Sequence, residues 1–122
     1  MKSSGEKKIA MFFELIKKDI FPEWDRKNEW RVKNLKHDSK NINSDYLGKC
    51  DYTGKIIYLN LDQEDWKIEM LMVHEICHAQ KGCKSHGDQW KKKMQEAAYR
   101  CESAGNYRLA DQIRHENENY SS

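Results

Sequence analysis

Two histidines four residues apart, His74 and His78, stand with Glu75 directly after the first in the run His-Glu-Ile-Cys-His. These are the residue types of a hydrolytic metal site. Neutral imidazoles donate nitrogen lone pairs to a divalent ion, and a carboxylate that is not a ligand acts as base toward water on that ion. The spacing serves this chemistry on a helix, where residues i and i+4 share a face with Cβ atoms about 5–6 Å apart. Both rings then reach one ion at about 2.0–2.1 Å. Glu75 lies about 100° further round, within reach of the water without becoming a ligand.

A catalytic zinc site uses three protein ligands and keeps one open position, so a third donor is required. His86, eight residues beyond His78 and past Gly82, is the expected third ligand. Its rivals are a carboxylate on the next helix, Glu96 or Glu102, and Cys83. Cys83 together with His86 would close the site into a structural one and leave Glu75 without a chemical task. Zinc is the expected ion, although three imidazoles also suit Mn, Co or Ni. Tyr99, Arg100, Tyr107 and His115 are candidates for a second donor to the oxyanion of an acyl-transfer step.

The elements that must hold these residues follow from periodicity and punctuation. Asp62 reads as the N-cap of the central helix, with Asp65 in its first turn, Trp66 to Lys81 free of Gly and Pro, and Gly82 as its stop. Met70, Leu71, Met72, Val73, Ile76 and Cys77 read as packing. Ser85 reads as the cap of a second helix that buries Trp90, Met94, Ala97, Ala98 and Cys101 and ends at Gly105, followed by a short helix from Tyr107 to Glu116. Upstream, Ile9, Phe12, Phe13, Ile16 and Ile20 form the stripe of a helix from about Gly5 to Ile20, with Pro22 beyond its end.

Between Trp30 and Leu61 the apolar period shortens to two, which predicts three short strands around Trp30/Val32, Tyr46/Gly48/Cys50 and Ile57/Leu59/Leu61. Asp51-Tyr52-Thr53-Gly54 predicts a tight turn joining the last two as an antiparallel hairpin, and Asp38 to Asp45 a polar loop. The strand from Lys55 to Leu61 is expected at a sheet edge, where it would pair with an extended substrate. The whole, residues 1–122, reads as one α+β domain with a small three-stranded antiparallel or mixed sheet.

Composition narrows the function classes. With 34% charged residues the chain leans toward disorder, but four Trp, six Tyr and three Phe are too much aromatic surface for a solvating tail. No apolar run approaches the roughly 18 residues that span a bilayer, and no signal segment opens the chain, so a cytoplasmic monomer without membrane contact is expected. Cys50, Cys77, Cys83 and Cys101 form no CxxC pair and read as free thiols. A net charge of +2 does not by itself predict nucleic-acid binding. Locally, Arg26, Lys27, Arg31, Lys33, Lys36 and Lys40 cluster near Trp24 and Trp30, the makings of a platform for single-stranded DNA. A solvated charged face with tryptophans in the core is the competing reading.

Ile57-Tyr58-Leu59-Asn60, Leu71 through Ala79 around the histidine pair, Ser85-His86-Gly87 and Trp90 together resemble the SprT-like (Spartan-type) zinc metallopeptidases. The likeness covers about Ile56 to Met94. It implies a zincin-like fold, one zinc held by His74, His78 and His86, and Glu75 as catalytic base. It also implies hydrolysis of protein or peptide substrates by a Glu-activated, zinc-bound water, in the best-known members on proteins crosslinked to DNA. The alternative is a non-catalytic module that keeps zinc for folding and binds nucleic acid or a protein partner.

Overall fold

The computed structural model describes residues 4–35, 47–80, 83 and 85–119. The polar loop expected over 38–45, Lys36, Lys40, Tyr46 and the expected stop at Gly82 lie outside the described residues. The first helix, α1 (Ser4–Ile20), buries Ile9, Phe13, Ile16 and Ile20 along one stripe, with Phe12 partly buried beside it. Lys17 lies on the buried side as well. Its Nζ is neutralised by Asp25 Oδ2 at 2.8 Å and also donates to Asn28 Oδ1 at 2.9 Å. Asp25 in turn accepts the backbone N–H groups of Glu29 (2.7 Å) and Trp30 (3.2 Å). A buried ammonium held by a carboxylate and a side-chain amide oxygen thus folds the segment after α1 back onto the helix.

That fold-back decides the fate of the tryptophans. Trp24 stands edge-on to Phe13 at 6.0 Å and lies 5.5 Å from Trp30, which also meets Tyr52 at 6.0 Å. Both indoles are partly buried against the core, while Arg26, Lys27 and Arg31 are exposed and Lys33 is half-buried. The basic residues expected to contact nucleic acid therefore line a surface whose tryptophan rings are tilted against one another and partly buried.

Among the described residues three strands form one mixed sheet: β1 (Arg31–Asn34), β2 (Gly48–Asp51) and β3 (Ile56–Leu59), in the order β1-β3-β2. β1 runs parallel to β3 with Arg31 opposite Ile56, and β2 runs antiparallel with Gly48 opposite Leu59. The hairpin forms as its turn residues predict, with Asp51 Oδ1 accepting the Gly54 N–H at 3.0 Å and Lys55 in the left-handed region at φ 56°. The expected edge position of the strand within 55–61 is corrected: β3 is central. Ile56-Ile57-Tyr58-Leu59 is a continuous apolar run, the pattern of a strand covered on both faces, and Ile57 and Leu59 are fully buried.

α2 (Asp65–Ala79) packs against β2 and β3 on one side and α3 (Asp88–Ser103) and α4 (Tyr107–Asn119) on the other. Its six apolar residues from Met70 to Cys77 that were expected to pack are all buried. Both expected caps move. Asn60 Oδ1 holds the Asp62 N–H at 2.9 Å, a local turn that delays the helix, and Glu64 occupies the N-cap position without a side-chain cap. At α3 the cap position belongs to Gly87, and Ser85 stays in the preceding segment. Gly105, at φ 88°, ends α3 as expected, and Asn106 Oδ1 then accepts the Leu109 N–H at 3.2 Å to start α4. α4 runs one turn past the expected end at Glu116.

All four cysteines are free. Among the described residues no helix is long and apolar enough to cross a membrane.

Candidate metal centre

α2 places His74 and His78 one turn apart on the same face, and the short segment ahead of α3 carries His86 to meet them. The three Nε2 atoms form a nearly equilateral triangle: 3.2 Å from His74 to His78, 3.1 Å from His78 to His86 and 3.2 Å from His86 to His74. Trp90, fully buried in the first turn of α3, forms the floor beneath them. Its ring centroid lies 4.9, 5.4 and 4.7 Å from those of His74, His78 and His86, and its Nε1–H donates to the His74 backbone oxygen at 3.3 Å.

The outer nitrogens fix which way the lone pairs point. His78 Nδ1–H donates to the Cys83 carbonyl oxygen at 2.8 Å, and His74 Nδ1–H donates to Glu116 Oε2 at 2.9 Å. In the neutral rings both Nε2 atoms are then bare acceptors facing each other at 3.2 Å. Such an arrangement is repulsive until a cation enters the space between them. Burial holds His78 at about 4 and also lowers His86, with the charge of His74 adding in both cases, so these rings stay in the neutral, ligating form at neutral pH. An ion bound at about 2.0–2.1 Å with tetrahedral angles separates its nitrogen ligands by about 3.3–3.4 Å, close to the triangle observed. These three histidines are the one group among the described residues positioned to hold a metal ion.

Glu75 is 7% exposed, and its Oε2 lies 4.0 Å from His74 Nε2, adjacent to the triangle and not part of it. Burial pushes its carboxyl up to about 7; the charge of His74 pulls down and that of Glu116 pushes further up. A base placed in this range exchanges protons near neutral pH. The end of β2 brings its backbone so close that a Cβ on Gly48 would stand 3.2 Å from Glu75 Oε2 and 3.2 Å from a Leu59 methyl carbon, which is why a glycine fits there. A cavity of about 500 Å³ opens over the three histidines, Glu75 and Glu116, bounded by Leu47, Gly48, Lys67, Met70 and Leu71.

The rivals for the third ligand point elsewhere. Glu102 pairs with Arg114 at 2.7 Å, and Glu96 is exposed with Lys93 at 3.7 Å. Cys83 contributes its carbonyl oxygen through the bond to His78, while its side chain is part of the apolar core. None of the four candidate oxyanion donors lines the cavity: Tyr99, Tyr107 and His115 are exposed, and Arg100 is held by the Ile20 carbonyl at 3.0 Å and Glu23 at 2.9 Å.

No family model, curated protein or solved structure matches the chain. The case for the site therefore rests on its own geometry.

Sequence reasoning missed Glu116, which comes 42 residues after the histidine it orients. The available signal was that Leu109, Ile113 and Glu116 share the inward face of α4 at i, i+4 and i+7. The hydrogen bond from His74, opposed by burial, holds the Glu116 carboxyl below its ordinary value, so it is a carboxylate. A carboxylate behind a ligating imidazole fixes the tautomer and raises the donor strength of the other nitrogen. Glu116→Ala should weaken zinc affinity by about 10–100-fold, read by competition with a chromophoric chelator. Unchanged affinity would remove Glu116 from the site.

Proposed function

We propose that this chain is a zinc-dependent metalloendopeptidase of the SprT-like, zincin-like type. The observation that carries this reading is the convergence of three imidazole nitrogens within 3.2 Å, with a raised, non-ligating carboxylate beside them in an open cavity. Zinc, when bound, supplies Lewis-acid polarisation of a peptide carbonyl and acidifies water. The chain's own residues do the rest. Glu75 accepts a proton at its carboxylate during attack on the carbonyl and returns it to the departing nitrogen. Glu116 and the Cys83 carbonyl hold two imidazoles in register, and Trp90 closes the floor against solvent.

Substrate entry fits the sheet order. With β3 central among the described strands, the edge that borders the cavity is that of β2, at Gly48 and the preceding Leu47. An extended polypeptide lying between this edge and α2 would pair main chain to main chain, which gives loose sequence selectivity. The resemblance extends the reading to DNA-associated or DNA-crosslinked proteins, with Arg26, Lys27, Arg31 and Lys33 offering charge contacts to phosphates. Trp30, partly buried with Trp24 at 5.5 Å and Tyr52 at 6.0 Å, has only part of its ring left for stacking a base.

The test is cleavage of an unfolded protein by the zinc-loaded chain. Fragments should appear, vanish with o-phenanthroline and return on adding back zinc; single-stranded DNA tests the further extension to DNA-bound substrates. An intact substrate beside one equivalent of tightly bound zinc would overturn the peptidase reading in favour of a zinc-stabilised binding module.

A further inference from the structure

The same cavity carries one side chain that the hydrolytic machinery does not use. Lys67, Leu71, His74 and His78 fall at i, i+4, i+7 and i+11 on α2, one continuous stripe along the cleft. Lys67 stands seven residues before His74, about 10 Å along the helix axis at 1.5 Å per residue. Among the described residues it is the one lysine or arginine lining the cavity, it is half-buried, and no carboxylate pairs with it there. The carboxylates of the cleft, Glu75 and Glu116, sit at the opposite end around the histidines. Between the two ends the wall is apolar, formed by Leu47, Met70 and Leu71.

We infer that Lys67 is a specificity-determining residue which selects substrates carrying an acidic side chain about two to four residues from the bond that is cut. This rests on the peptidase reading of the site. An extended chain advances about 3.3 Å per residue, so a side chain three residues from the reacting carbonyl lies about 10 Å away, level with Lys67. An ammonium in a half-desolvated groove with no internal partner gains from a carboxylate brought to it, and it opposes a second cation. The apolar wall between the ends supplies surface for the intervening substrate side chains without competing for the charge.

The experiment uses a randomised mixture of acetylated, amidated decapeptides, so that a selected carboxylate belongs to a side chain and not to a chain terminus. Cut positions are read by mass spectrometry for the zinc-loaded protein, Lys67→Met and Lys67→Glu. The expected result is enrichment of Asp and Glu by about threefold to tenfold at one position two to four residues from the cut. The enrichment should be flat in Lys67→Met and turned toward Lys and Arg in Lys67→Glu. In parallel, zinc-loaded Glu75→Gln is used to capture the same mixture, with and without Lys67→Glu, which reads selection without cleavage. Acid selection in the capture arm with no cutting by the unsubstituted protein sinks the peptidase reading, and with it a preference measured from a cut bond, leaving Lys67 as a contact for acidic peptides. Cutting with the same residue profile in all three proteins sinks the Lys67 assignment and keeps the peptidase. Neither cutting nor selective capture overturns both.

Discussion

Glu75→Gln should lower the rate of peptide hydrolysis by about 10²–10⁴-fold, the usual contribution of a positioned general base, while the protein keeps one equivalent of zinc. Gln has the shape of Glu and removes the proton-accepting oxygen. In the metal-free protein it also removes a charge that burial disfavours, since burial pushes the Glu75 carboxyl up to about 7. Thermal unfolding of the metal-free variant should therefore match or exceed that of the metal-free parent. Steady-state cleavage of an unfolded protein, with zinc content measured on the same sample, checks both halves. A variant that cuts at the parental rate would take Glu75 out of the chemistry.

The second large effect concerns His86. His86→Ala leaves His74 and His78 on their helix and deletes one corner of the nitrogen triangle. Zinc affinity should fall by well over about 100-fold, the upper end of what losing an outer partner such as Glu116 costs. Hydrolysis should disappear with the metal. Glu96→Ala and Glu102→Ala are the matched controls, since these carboxylates face Lys93 and Arg114. Zinc titrations monitored by chelator competition separate the cases; parental affinity in His86→Ala would return the third-ligand role to one of the rivals. Cys83→Ala should keep zinc, because that residue serves the site through its backbone carbonyl.

What could be read directly from the chain is what depends on neighbours in sequence. His74 and His78 share a face because a helix repeats every 3.6 residues, and the apolar run from Met70 to Cys77 makes that helix a buried one. The hairpin between Gly48 and Leu59 follows from the Asp51–Gly54 turn, and Gly105 ends α3 because a residue without Cβ takes its left-handed backbone freely. The third histidine was legible as a donor within a short turn of the second.

The rest was settled by contacts between distant segments, which no local pattern encodes. β3 became the central strand because β1, more than twenty residues earlier, docks parallel along its other side; an apolar strand of four residues reads the same at an edge until its partner is known. Trp24 and Trp30 are partly buried against the core because Lys17, from the preceding helix, anchors the loop that carries them. Glu116 looks in sequence like any other glutamate of a charged helix. It becomes part of the metal centre only because α4 lies across α2 at the level of His74. Helical spacing can nominate ligands, but the carboxylate that orients one of them, and the strand edge that borders their cavity, exist only once the elements have packed.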